Sequence, residues 1–261
     1  MDLVESEKRG DQAGSRHPWE LARFDVVQHL LSDVISDRKD YNVLDIGCGD
    51  VFFVGSMARL YPHVNFFAVD SAFTDDLLAK LKRQVEGLNV RLYKSLDEAV
   101  KEMNGRADLV LLLDVVEHIG DDLGFLKSLS ASPGIGKETR VLITVPAFQG
   151  LFCSHDTFLG HYRRYNNKSL RAVTEAAGFS TVRSGYFFSG LLLPRVAQVV
   201  KEKLFPRKEA TTGLVEWNAG KGVTGLFKGV LYADYRLGRI FRSIGLNLPG
   251  LSNYILCRRS A

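Results

Sequence analysis

The sequence predicts an α/β fold of the doubly wound, mostly parallel kind, and three observations carry that prediction. Short runs such as Ala107 to Leu113 (ADLVLLL) and Arg140 to Val145 (RVLITV) are apolar throughout, as strands covered on both faces must be. Helical patterns alternate with those runs, which implies helices on both faces of a parallel sheet. Glycine and acidic residues gather just after the strand-like runs, where such sheets bind ligands.

Each element follows from its residues. His17-Pro18-Trp19-Glu20 opens a helix, with Pro18 near its first position. Leu21, Phe24, Val27, Leu30, Leu31 and Val34 recur at helical spacing and form its buried face. Val43, Leu44 and Ile46 make a first strand, and Asn65 to Val69 a second. Helical patterns run over Val54 to Tyr61, Thr74 to Glu86, Leu96 to Met103, Gly120 to Ser130 and Lys168 to Ala177, the last closed by Gly178. Ser180 to Phe188 and Ser252 to Arg258 are the final two strands, and about sixty residues separate them. Within that gap, helices are expected over Arg195 to Phe205 and about Val223 to Ile244. Residues 1–16 are polar and are expected to form a mobile tail.

Composition bounds the function. The 261 residues suit one doubly wound domain with an elaboration. With 34 basic and 30 acidic residues, the net charge of +4 does not argue for nucleic acid. Cys48, Cys153 and Cys257 are widely spaced with no C-x-x-C pair, so neither a zinc site nor a disulfide framework is suggested, and a reducing cytoplasm fits. The N-terminus lacks an apolar signal core.

The chemistry starts at Tyr41 to Phe53, YNVLDIGCGDVFF. Gly47-Cys48-Gly49 ends the first strand with a turn that lets backbone approach a ligand. Asp70 ends the second strand, 25 residues after Asp45, and suits two ribose hydroxyls. The dinucleotide fingerprint requires a third glycine where this chain has Phe52, which argues against a nucleotide-dependent oxidoreductase. Asp45, two residues before the turn, would repel a pyrophosphate and favours a cationic ligand. S-adenosylmethionine, with a sulfonium and an ammonium and no phosphate, meets that description.

The segment LDIGCGD resembles motif I of the class I S-adenosylmethionine-dependent methyltransferases. LDVVEHI (Leu113 to Ile119) and VPA (Val145 to Ala147) resemble the segments after the family's fourth and fifth strands. Ser154-His155-Asp156 with Gly160-His161-Tyr162-Arg163-Arg164-Tyr165 resembles a bacterial subset with an HD…LGHYRRY signature. The resemblance covers roughly residues 17–188 and the last strand. It implies a Rossmann-like sheet of seven strands, with a methyltransferase domain over 17–188 and 251–261 and a helical insertion over 189–250. It also implies that the first helix covers the cofactor, and assigns Asp45, Gly47, Cys48, Gly49, Asp70, Ser71, Asp114 and Val115 to cofactor binding. Many family members carry a third glycine where this chain has Val51, so the turn either uses ordinary φ here or narrows the cofactor pocket.

On the acceptor side, His118 and His161 are the candidate catalytic bases, since neutral imidazole accepts a hydroxyl proton near pH 7. His155, Tyr162, Arg163 and Arg164 are the candidate acceptor-binding residues, the guanidinium forks matching a carboxylate or phosphate. Glu117 and His118 with His161 form an alternative divalent-metal set, but without a second carboxylate–histidine pair no metal is assigned. In the insertion, Leu226, Phe227, Val230, Leu231, Leu237, Ile240, Phe241 and Ile244 form one apolar stripe beside Lys228, Arg236, Arg239 and Arg242. Such a helix either lies on an anionic membrane through 189–244, caps an apolar substrate site, or packs on its neighbour and on the sheet. The expected activity is methyl transfer to an O or C atom of a small or lipid-linked metabolite, in the cytoplasm or at the inner face of the membrane. A non-catalytic S-adenosylmethionine-binding protein is the alternative, and a nucleic-acid acceptor is not expected.

Overall fold

The computed structural model describes residues 16–103, 105–205 and 217–260, so the expected mobility of 1–15 lies outside the described residues. Arg16, assigned to that tail, is instead held by Asp50 at 2.6 Å and by Glu20. In chain order the elements are α1 (Pro18–Leu31), β1 (Asn42–Ile46), α2 (Phe52–Leu60), β2 (Asn65–Val69), α3 (Asp75–Gln84), β3 (Val90–Tyr93), α4 (Leu96–Glu102), β4 (Ala107–Leu113), α5 (Asp122–Ala131), β5 (Ile135–Pro146), α6 (Ser154–Phe158), α7 (Asn167–Ala176), β6 (Phe179–Phe187), α8 (Leu192–Leu204), α9 (Lys221–Ser243) and β7 (Ser252–Arg259).

The seven strands lie in the order β3-β2-β1-β4-β5-β7-β6. All pairings are parallel except those of β7, which runs antiparallel to both β5 and β6. The fold is therefore the Rossmann-like one expected, with a single reversed strand. Two apolar clusters cover the two faces of the sheet, one including Val43, Phe66, Leu109 and Tyr254, the other Leu44, Phe67, Val110 and Ile255. Neighbouring strand residues belong to opposite clusters because strand side chains alternate faces. β3 and α6 have no counterpart among the expected elements. In β3 only Leu92 and Tyr93 are buried, and a four-residue edge strand leaves little pattern to read.

α1 begins with a capping box in which the His17 ring accepts from the Trp19 amide and Glu20 accepts from the His17 amide. α9 lies along α1, with Lys228 paired to Asp25 at 2.8 Å, Arg239 bonded to His29, and Tyr235 buried. The apolar stripe read on α9 divides accordingly. Leu231 and Tyr232 turn inward to the core, whereas Leu226, Val230, Leu237, Ile240 and Ile244 stay exposed. No helix among the described residues is long and apolar enough to cross a membrane.

Among the described residues, four non-glycine residues have positive φ: Val51, Asp114, Phe148 and Phe188. They follow β1, β4, β5 and β6, whose carboxyl ends share one edge of the sheet. Left-handed backbone costs an L-residue roughly 1–2 kcal/mol, and such strain gathers where a site constrains the chain. Val51, at φ 56°, corrects the sequence-based alternatives: the left-handed turn is retained without glycine, and the side chain is buried in the core rather than turned into the pocket.

Candidate active site

That edge of the sheet opens into a cavity of about 710 Å³. Its first wall is the turn after β1. Gly47 has φ +73°, and a Cβ there would lie 2.5 Å from Val115 Cγ2, so only glycine fits. The Gly49 amide donates to Asp70 Oδ2 at 2.9 Å and the Ala72 amide to Asp70 Oδ1 at 3.0 Å. Each carboxylate oxygen thereby keeps lone-pair capacity for a hydroxyl pair. Gly47, Gly49, Asp70, Ser71, Asp114 and Val115 all line the cavity. Cys48 does not: its thiol is buried and pushed well above its ordinary range by desolvation and then by Asp45. Asp45 lies behind the wall, fully buried, with one oxygen lacking a hydrogen-bond partner. Burial, with Asp70 adding to it, raises its carboxyl to about 7.

These residues fit S-adenosylmethionine on their own terms. The glycine turn is a cradle that a Cβ at Gly47 would obstruct, and Asp70 and Asp114 present two carboxylates on the cavity wall. Asp114 is held by Arg23 at 2.9 Å and by the Thr144 hydroxyl at 3.0 Å.

The opposite wall comes from the segment after β5. Asp156, on α6, is wholly buried and accepts from four groups: His161 Nδ1 at 2.9 Å, Arg164 Nε at 2.7 Å, and the Cys153 and His161 amides, the last at its backbone carbonyl. Burial would raise its carboxyl, but the bonds from His161 and Arg164 outweigh that and hold it far below its ordinary range. An ionised carboxylate only accepts, so His161 donates from Nδ1, the tautomer that leaves Nε2 facing away from Asp156. The His118 ring meets the His161 ring edge-on, with centroids 4.6 Å apart. Both histidines line the cavity.

Glu117 lines the cavity too, with no exposed surface and no hydrogen-bond partner on either carboxylate oxygen. Burial and then Asp114 push its carboxyl well above the usual range. The ligand atoms of Glu117, His118 and His161 lie within 4.8 Å of one another.

The expected acceptor-binding residues divide. His155 lines the cavity, but burial and Arg195 lower its pKa to about 4, which leaves it uncharged. Arg164 reaches the cavity with its guanidinium already committed to Asp156 and to the Ala147 carbonyl. Arg163 turns away, pairing with Asp122 at 2.8 Å and the Gly120 carbonyl at 2.6 Å. Tyr162 is exposed and packs near Gly120. Neither Arg163 nor Tyr162 borders the cavity, and Arg164 is a structural strut, so the cationic grip expected for an acidic acceptor is not assembled. The sequence does not mark Arg23, Trp19 or Trp217 as wall residues, and it places Asp156 on the acceptor side with His155 and His161 without giving it the role of holding His161 and Arg164.

Comparisons with known proteins agree with the geometry. A family model described as a methyltransferase domain matches residues 19–184. Ubiquinone biosynthesis O-methyltransferases are similar over a shorter stretch: that of Cereibacter sphaeroides is 37% identical over 84 residues, covering 32% of this chain and 33% of the relative. That of Ruegeria pomeroyi is 34% identical over 86 residues, covering 33% and 34%. The matches thus span about a third of those relatives. Among solved structures, coclaurine N-methyltransferase bound to N-methylheliamine and SAH superposes with TM-score 0.55 at 16% identity, covering 92% of this chain and 73% of that one. The [4+2]-cyclase SpnF superposes with TM-score 0.53 at 10% identity, covering 91% and 81%, so the fold by itself does not choose the reaction. The matched methyltransferase domain and the sheet order together place the chain in the class I S-adenosylmethionine-dependent methyltransferase family.

Proposed function

We propose that the chain transfers the methyl group of S-adenosylmethionine to a hydroxyl oxygen of a small apolar acceptor, of isoprenoid or quinone-precursor type and carried on a lipid chain. The observation behind the reaction is the Asp156–His161 pair beside His118, in the same cavity as the Gly47 turn and Asp70. The O-methyltransferase names of the partial relatives support oxygen as the acceptor atom. An apolar acceptor is supported by Leu191, Phe227, Leu231 and Leu251 on the cavity wall.

In this reading Gly47, Gly49, Asp70, Ser71, Asp114 and Val115 hold the cofactor, with Asp45 behind them. The bound cofactor supplies a methyl already activated by sulfonium. His161 would accept the proton of the acceptor's hydroxyl at Nε2 as that oxygen takes the methyl which the cofactor, held by the Gly47 turn and Asp70, would supply. Asp156 fixes the tautomer and stabilises the imidazolium. Alignment of nucleophile, methyl and sulfur supplies roughly 7–11 kcal/mol of the barrier, and the base roughly a hundred- to ten-thousandfold in rate.

Calorimetric titration with S-adenosylhomocysteine tests the cofactor half: micromolar affinity is expected, weakened roughly 10- to 100-fold in Asp70→Ala, the loss of a charge-assisted hydrogen bond. His161→Ala should keep that affinity and lose turnover on a lipid-linked phenol or polyprenol. Unchanged turnover would overturn the base assignment.

A second reading has its own observation. The unpartnered Glu117 oxygens lie within reach of His118 and His161, and Asp156–His161 is a carboxylate–histidine pair of the kind that orients a metal ligand. Turnover that EDTA abolishes and a divalent cation restores would favour it over the bare imidazole base.

A further inference from the structure

We infer that α8 and α9 form a docking face for an anionic lipid surface, with the mouth of the methylation cavity beside it. The inference deepens the lipid-linked reading above but rests on its own observations.

The first is apolar exposure. On α9, Val223, Leu226, Val230, Leu237, Ile240 and the cap residue Ile244 are 46–68% exposed. At 3.6 residues per turn they fall within an arc of roughly 100°, so they make one continuous stripe along a helix about 35 Å long. On α8, Leu193, Val196, Val200 and Leu204 repeat the pattern at 43–78% exposure. Most of the large exposed apolar side chains among the described residues belong to this insertion. Single exposed apolar residues are ordinary, but a stripe of this length is not.

Charge then selects the occupant. The two helices hold eight of the 34 basic residues and only two of the 30 acidic ones, so the rest of the chain is slightly acidic, 26 against 28. Both acids are turned inward: Glu202 accepts from the Ser154 amide and hydroxyl at 2.9 Å, and Asp234 accepts from the Gly190 amide. Lys201, Lys203, Lys221 and Arg236 remain exposed. A second copy of this chain would bring these cations against one another with no exposed acid on either helix to answer them. An anionic bilayer answers both the stripe and the charge. The helices are too polar to span it and would lie in its interface.

The face is also joined to the site. Leu191, Arg195, Phe227 and Leu231 are cavity-wall residues from this same insertion, and Phe227 is half exposed. Arg195 donates to Cys153 Sγ at 2.8 Å and Glu202 caps Ser154, so α8 is tied to the N-terminus of α6, the helix carrying Asp156. An acceptor whose tail stays in the bilayer would reach the cavity without leaving the surface.

The test is vesicle co-sedimentation of the full chain, without cofactor or acceptor, on vesicles of phosphatidylcholine with or without 30 mol% phosphatidylglycerol. Binding to the anionic vesicles is expected, weaker at 0.5 M salt and at least tenfold weaker on phosphatidylcholine alone, since each cation near an anionic surface contributes roughly a fivefold factor. Leu226→Glu/Val230→Glu/Ile240→Glu, at positions that do not themselves line the cavity, should lose vesicle binding at least tenfold while retaining S-adenosylhomocysteine affinity. Lys201→Gln/Lys203→Gln/Arg236→Gln should lose the preference for phosphatidylglycerol. No binding to anionic vesicles, retention by the triple glutamate variant, or a concentration-dependent dimer that this variant abolishes would each overturn the proposal. Because cofactor affinity is measured separately, failure here leaves the methyltransferase reading standing, and loss of cofactor binding with vesicle binding intact does the reverse.

Discussion

The two walls of the cavity are built by different means. The wall after β1 and β2 is made by adjacent residues: a glycine turn, two backbone amides and one carboxylate, within the span from Gly47 to Ala72. The wall after β4 and β5 is made by side chains tied across distance, with Arg23 on Asp114, Arg164 on Asp156, His161 against His118 and Glu202 on Ser154. The first wall presents rigid backbone to a ligand of fixed shape. The second is a charged network whose members depend on one another, so its failures should be larger and less local.

The sharpest way to break the comparison is Asp156→Ala. It strips the partner from Arg164, which is almost fully buried, and frees His161 and the Cys153 amide together. Removing one partner of a buried pair costs about 3–5 kcal/mol. Chemical denaturation should show a loss of that order along with lost turnover. A loss under about 1 kcal/mol would mean the second wall is as locally built as the first.

Next is the pH dependence of the first wall. The folded-state pKa of Asp45, about 7, lies above the ordinary carboxylate value. Its contribution is therefore fully present below about pH 4 and is lost as pH rises through 7. His155 acts in the opposite sense: its folded pKa of about 4 is depressed, so its contribution is present above about pH 6.5 and lost as pH falls toward 4. In the ligand-free protein the two slopes oppose each other. Asp45→Asn should be more stable than wild type at pH 8, on the order of 2–4 kcal/mol, with the gain shrinking toward pH 5. Thermal melts across that range read the difference, and a gain independent of pH would contradict the assignment.

The smallest effect concerns Val51. Glycine there would relieve about 1–2 kcal/mol of left-handed strain but give up roughly 1.5–3 kcal/mol of buried side chain and 0.5–1 kcal/mol of chain entropy. Val51→Gly should therefore not stabilise the protein, and S-adenosylhomocysteine affinity should stay within about twofold. A marked gain in affinity would show that the valine does narrow the cofactor site.

Much of the first wall was legible in the sequence because its information is contiguous. Gly47, Gly49 and Asp70 follow apolar strands, and a turn needing φ > 0 leaves few alternatives to glycine. Cys48 was over-read, since the middle residue of that turn points into the core. On the second wall His118 and His161 were legible as residue types but not as neighbours. Arg163 and Arg164 looked alike in sequence, yet one pairs with Asp122 on the outside and the other with Asp156 in the interior.

By itself, then, the sequence determined the doubly wound sheet and the glycine cradle, because periodicity and turn chemistry act over a few residues. Tertiary structure alone decided which arginine is a strut, which carboxyl is buried without a hydrogen-bond partner, and which half of the α9 stripe meets solvent. Those outcomes depend on desolvation and on partners distant in sequence, and a helix shows the same apolar period whether its face is covered by protein or not.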